Sequence, residues 1–202
     1  MSRPDDHEAL NNWGILLSEQ AKRTSGEEAS KLFATAGEKY AAALAIKPDD
    51  HEALSGWGNL LLEQAKRASG EEASKLLAAA GEKYAAAVEI KPDDHEVLNN
   101  WGNLLLEQAK RANGDDASKF FATAEEKLTA AATLGPSTTY NFACLKALQH
   151  DEDQCRQHLE NAEKHGTLPD YHHLVADTDL DSVKQTPWFR ELLERQKDRP
   201  KP

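Results

Sequence analysis

Residues 48–61 read Pro48-Asp49-Asp50-His51-Glu52-Ala53-Leu54-Ser55-Gly56-Trp57-Gly58-Asn59-Leu60-Leu61. The same Pro-Asp-Asp-His-Glu opening stands at residues 4–8 and again at 92–96, a period of 44 residues. Residues 4–47 and 48–91 differ at nine positions, and a third copy, 92–135, drifts mainly after Arg111. Self-similarity at a fixed period is the mark of a repeat architecture.

Each copy carries two helical patterns. In the first, Leu10, Trp13, Leu17 and Ala21 recur at three- and four-residue spacing, which is one face of a helix. In the second, Leu32, Ala36, Tyr40, Ala43 and Leu44 share a face. Asp5 with Glu8 reads as a capping box opening the first helix. Ser25 with Glu28 reads the same way for the second helix; Ser69 with Glu72 repeats it, and Asn113 with Asp116 is a weaker form. Pro48, Pro92 and Pro136 close the pairs, because proline cannot continue a helix and disfavours it at the preceding residue. The unit is an antiparallel helical hairpin, which buries its apolar face only by stacking on neighbours.

These residues resemble the tetratricopeptide repeat (TPR) family, whose signature runs W-x2-L-G-x2-Y, A-x3-F, P. The first copy gives Leu10, Trp13, Gly14, Leu17, Ala36, Tyr40, Ala43 and Pro48. The second gives Leu54, Trp57, Gly58, Leu61, Ala80, Tyr84, Ala87 and Pro92, and the third Leu98, Trp101, Gly102, Leu105, Ala124, Leu128, Ala131 and Pro136. The resemblance implies an all-α, TPR-like helical-hairpin solenoid curving as a right-handed superhelix. An ordinary unit has about 34 residues, so about ten extra fall between Gly14 and Ala36 and lengthen each helix by ~7 Å. The long hairpins are similar to the elongated TPRs of the plant mitochondrial import receptor. That likeness is taken as architectural, without function, because the sequence shows no membrane anchor.

The expected organisation is long repeats at 4–47, 48–91 and 92–136, an ordinary-length hairpin at 137–166, a helical cap at 167–196 and a disordered tail at 197–202. In the fourth unit Tyr140-Asn141-Phe142-Ala143-Cys144-Leu145 resembles a first TPR helix; Cys155, Leu159 and Ala162 match the second, and Gly166 stops it. The stretch from Asp177 to Phe189 resembles an ending found after many bacterial TPR arrays. Leu174, Leu180, Val183, Trp188, Phe189 and Leu192 are expected to cover the last hairpin.

Composition narrows the function classes. The 202-residue chain carries a net charge of −11, which repels phosphate backbones and argues against nucleic acid. No apolar run reaches the ~18 residues of a membrane helix, so no membrane insertion is expected. Met1 to Asp6 lack the apolar core of a signal peptide. Two cysteines, Cys144 and Cys155, imply no disulfide framework, and a cytoplasmic location is the expectation.

Each candidate for chemistry has a plainer reading. Trp13, Trp57 and Trp101 suggest an aromatic ladder, but they stand at a packing position of the signature. Asp-Asp-His-Glu offers metal or acid–base groups, yet it suits a helix N-terminus. Neighbouring copies would sit ~10 Å apart, against zinc bonds of ~2 Å. Cys144, His150, Cys155, His158, His165, His172 and His173 crowd the last third without C-x2-C spacing, and Cys155 falls at a small core position. No phosphate-binding, dinucleotide or nucleophile-elbow motif is present. The expectation is therefore no catalytic residue, no metal and no cofactor.

The TPR resemblance implies a concave groove lined by the first helix of each repeat. Its lining would be Glu8, Asn11 and Ile15; Glu52, Ser55 and Asn59; Glu96, Asn99 and Asn103, with Glu19, Glu63 and Glu107 further along. Chaperone-tail-binding members carry a Lys/Asn clamp for a peptide carboxylate. Here no Lys or Arg stands at the matching places, so no such clamp is expected. The asparagines suit an extended peptide backbone and the glutamates a basic or neutral partner. Leu62 and Leu106 are expected as exposed apolar contacts. The expected function is a non-enzymatic scaffold that binds a partner peptide or helix. Self-assembly through ends or grooves is the alternative, and a metal-dependent enzyme stands third.

Overall fold

The computed structural model describes residues 6–135 and 139–197. Three long hairpins come first: α1 (Asp6–Lys22) with α2 (Gly26–Ile46), α3 (His51–Arg67) with α4 (Gly70–Ile90), and α5 (His95–Arg111) with α6 (Gly114–Leu134). A shorter pair follows, α7 (Thr139–Leu148) and α8 (Glu152–His165). Then come α9 (Tyr171–Ala176), a 3-10 turn at Thr178–Leu180, and α10 (Pro187–Lys197). No strand occurs among the described residues. In each long hairpin the first helix has 17 residues and the second 21.

Capping differs from the sequence expectation. The caps of α3 and α5 are Asp50 and Asp94, the second aspartate of each pair, which accept from the amides of Ala53 and Val97. Asp5 lies outside the described residues, as do Pro136 and residues 198–202 of the expected tail. Lys197, the first residue of that tail, is the last of α10. Ser25, Ser69 and Asn113 do precede α2, α4 and α6, but their side chains make no capping bond. The turn is made instead by Gly26, Gly70 and Gly114, with φ of 63°, 57° and 55°. Only glycine adopts that conformation freely. Gly166 ends α8 at φ 72°, as its position suggested.

The core is built between hairpins as well as within them. Ala36, Tyr40 and Ala43 of the first hairpin bury against Ala53 and Leu60 of α3. Leu77, Ala80, Tyr84 and Ala87 do the same with Val97 and Leu104 of α5. Tyr40 and Tyr84 are packed so closely that a Cβ on Gly58 would stand 2.7 Å from the Tyr84 ring. Polar ties cross the same seams. His7 Nδ1 lies 2.7 Å from Asp50, and Arg67 donates to the Lys22 and Thr24 carbonyls at 2.9 and 3.0 Å. Beyond the third repeat, Leu174, Leu180, Val183, Phe189 and Leu192 bury against α7 and α8, with Trp188 half-buried beside them.

Two expectations about large side chains are corrected. Trp57 and Trp101 pack half-buried against the core, as their place in the signature suggested, but Trp13 is 51% exposed. Each lies under a lysine of its own hairpin: Lys39, Lys83 and Lys127 sit 4.2, 4.2 and 4.3 Å from the ring centroids. Leu62 and Leu106 are buried rather than exposed: Leu62 joins the cluster of Leu77 and Tyr84, and Leu106 that of Leu128 and Cys144.

Candidate binding groove

The concave side carries a continuous groove. One end is formed by α1, α3 and the start of α5 and holds Asn11, Ser55, Asn59, Glu52 and Glu96. The other is formed by α3, α5, α7 and the segment after α8, and holds Asn59, Asn103, Tyr140 and Asn141 with Asp177 and Asp179. Lys22, Asn59 and Glu63 belong to both ends. Of the residues expected from the sequence, Asn11, Glu52, Ser55, Asn59, Glu96 and Asn103 line this groove. Glu8 and Asn99 do not line it; Glu8 is exposed, and Asn99 accepts from Asn141 at 2.6 Å. Asn59 takes the Tyr84 hydroxyl at 2.6 Å, and burial pushes that phenol well above its usual range, so it stays a donor. Asn11 is buried, and its Oδ1 has no hydrogen-bond partner.

The electrostatics are uneven along the groove. The first end is lined by six carboxylates (Glu19, Glu52, Glu63, Asp93, Asp94, Glu96) against two lysines, Lys22 and Lys91. The second end holds Lys22, Lys66, Lys110 and Arg111, which the sequence reading missed. Their signal was present: Glu19-x2-Lys22, Glu63-x2-Lys66 and Glu107-x2-Lys110 recur with the period. They lie beyond the positions carried over from the family. Each lysine is paired one turn back, Lys22 with Glu19 at 2.6 Å and Lys66 with Glu63 at 3.0 Å. Lys110 meets both Glu107 and Asp179, the latter at 2.6 Å. Burial opposes ionisation of Glu107, but Lys110 and Arg111 outweigh it and hold that carboxyl below its usual range.

The segment after α8 forms the back wall, which was not expected of a cap. Tyr140 donates to Asp177 at 2.5 Å, and the Cys144 thiol lies 3.7 Å from the same carboxylate. Burial, with Asp177 next, drives the Cys144 thiol well up, and Cys155 is pushed up to about 12. Both thiols are buried, which favours their protonated form. Among the described residues no three His, Cys, Asp or Glu side chains are grouped as metal ligands. Among them, too, no helix is long and apolar enough to cross a membrane.

Paired helices stacked in series define the class by fold: the chain is an all-α, TPR-like helical-hairpin solenoid. More particularly, residues 1–96 match the model of the plant-specific mitochondrial import receptor subunit TOM20. The crystal structure of a thermophilic TPR protein from Thermus thermophilus is similar, with a TM-score of 0.67 over 92% of this chain and 87% of that one. Its sequence is 15% identical, so the likeness is one of fold. No curated protein sequence matches the chain. The match to a mitochondrial receptor subunit overturns the expected cytoplasmic location, and it reaches the sequence itself, not the hairpin architecture alone. The cytoplasmic expectation had rested on the cysteine count, and the architecture-only reading of the likeness on the missing membrane anchor; neither observation fixes a location.

Proposed function

We propose that this chain is a non-catalytic receptor module that holds a segment of a partner protein in its concave groove. The observation that carries this reading is the continuous groove, acidic at one end and closed at the other by the segment after α8. The likeness of residues 1–96 to an import receptor subunit supports a protein ligand. Receptor and TPR families are in general non-enzymatic. The six carboxylates favour a partner segment that is basic or neutral where it meets α1 and α3. The groove amides of Asn103 and Asn141 suit hydrogen bonds to backbone or side-chain amides of that segment.

Fluorescence anisotropy with labelled lysine-rich and glutamate-rich peptides tests the proposal. The lysine-rich peptide is expected to bind more tightly, and Glu96→Lys with Asn103→Ala to weaken it about tenfold. Equal affinity for both peptides, or binding indifferent to those substitutions, would remove the groove from the function.

A further inference from the structure

The outer face of α1 repeats a docking surface that is already in use twice within the chain. Leu60 and Leu104 are 2% and 0% exposed, whereas Leu16, at the same place in the first repeat, is 69% exposed. Ala53 and Val97 are buried, whereas Ala9 is exposed. What covers the two inner faces is visible. A Cβ on Gly37 would meet Leu60 at 3.7 Å and Trp57 at 3.9 Å, and one on Gly81 would meet Leu104 at 3.5 Å. Glycine therefore gives the tryptophan and leucine a shallow seat on the preceding second helix. Arg67 adds bonds to carbonyls ending the preceding first helix, and Arg23 stands at the corresponding place on the outer face.

We propose that Ala9, Trp13, Leu16 and Arg23 form a second interaction surface, separate from the groove, for a partner helix bearing a Gly/Ala ridge like that of α2 and α4. A second copy of this chain is a poor occupant. Its own seats at Gly37 and Gly81 are filled by α3 and α5. The third repeat has Glu125 at that position, bound by Lys146 at 2.8 Å. The far end is covered, with Arg195 of α10 on Glu163 at 2.8 Å and Trp188 on Glu152 at 2.8 Å. Two outer faces would also oppose Trp13 and Leu16 to Trp13 and Leu16, with no glycine seat such as Gly37 or Gly81 gives Leu60 and Leu104.

The probe is a synthetic peptide of residues 26–46, titrated into the full chain while the four tryptophan indole N–H signals are followed by NMR. The Trp13 signal is expected to shift saturably, while those of Trp57, Trp101 and Trp188 hold still. Leu16→Lys, a change at an exposed position, and a Gly37→Leu version of the peptide should each weaken binding at least about tenfold. Asn103→Ala in the chain should leave it unchanged, which separates this surface from the groove. No shift at Trp13, binding that survives Leu16→Lys, or loss with Asn103→Ala would each overturn the proposal. Sedimentation of the chain alone closes the remaining route: a dimer that Leu16→Lys dissolves would assign the face to a second copy instead.

Discussion

The first and second repeats differ at nine of their 44 positions and still present opposite surfaces. Trp57 and Leu60 are seated on the helix before them, while Trp13 and Leu16 face outward at 51% and 69% exposure. Every residue in that contrast is the same in both repeats. What differs is whether a neighbour precedes them, so in this array burial is a property of position as much as of sequence. Stability should follow the same division, with matched substitutions giving unmatched costs.

The largest difference is expected for leucine truncation. Leu60→Ala removes a buried side chain from the seam between the first two hairpins and should cost about 2–4 kcal/mol. Leu16→Ala, on the outer face, should stay within about 0.5 kcal/mol. Urea unfolding of both variants checks this, and equal costs would mean that the outer face is covered in solution.

Glycine substitution sharpens the comparison from the other side. Gly58→Ala forces a methyl to 2.7 Å from the Tyr84 ring, in a hairpin with no spare room, and should cost about 1–3 kcal/mol. Gly81→Ala meets Leu104 at an ordinary 3.5 Å and removes a helix-destabilising glycine. It is expected to be neutral, or stabilising by up to about 1 kcal/mol. Thermal unfolding of the pair decides whether the added methyl is refused beside Tyr84 and accepted beside Leu104.

The polar half of the core predicts a smaller contrast. Tyr84 donates to Asn59 at 2.6 Å, while the first repeat has Ile15 where the second has Asn59. Tyr84→Phe leaves that buried amide short of a donor and should cost about 1–2 kcal/mol. Tyr40→Phe should cost less, since no amide is paired with it. A double-mutant cycle of Tyr84→Phe with Asn59→Ala isolates the bond, and additivity would deny it.

The hairpins were legible in the sequence because helical spacing and proline punctuation are local signals. The seats of Leu60 and Leu104 were not, since they depend on Gly37 and Gly81 in another hairpin, and no single repeat shows which side of a helix will meet a neighbour. Trp13 was misread for the same reason: a packing position in the signature is buried only if the array continues past it. The caps failed on a subtler point. Asp49 and Asp50 are both good capping residues, and the helix begins directly after Asp50, whose extended backbone lets its carboxylate take the Ala53 amide. In the groove, Asn59 and Asn103 were found by family position. Lys22, Lys66 and Lys110 were overlooked because they sit about two turns beyond it, although their period was visible. The wall contributed by Asp177 and Asp179 comes from a segment over 60 residues away from α5 in sequence, and nothing short-range announces it.

The smallest expected effect tests the inter-repeat logic most directly. Arg67 and Arg23 close nearly identical helices, but only Arg67 has a preceding hairpin, where it donates to the Lys22 and Thr24 carbonyls. The Lys22 carbonyl ends α1 and that of Thr24 lies in the turn just after it, so the guanidinium also complements the negative end of the helix dipole. Because the site is exposed, water competes for the same carbonyls, so Arg67→Ala should cost only about 0.5–1 kcal/mol. Arg23→Ala has no carbonyls ahead of it and should be neutral. The decisive reading is local: hydrogen exchange at Lys22 to Ser25 should quicken in Arg67→Ala, while the corresponding amides at the end of α3 keep their rate. Uniform acceleration across both turns would mean that the arginine acts on the whole array rather than on the helix end it caps.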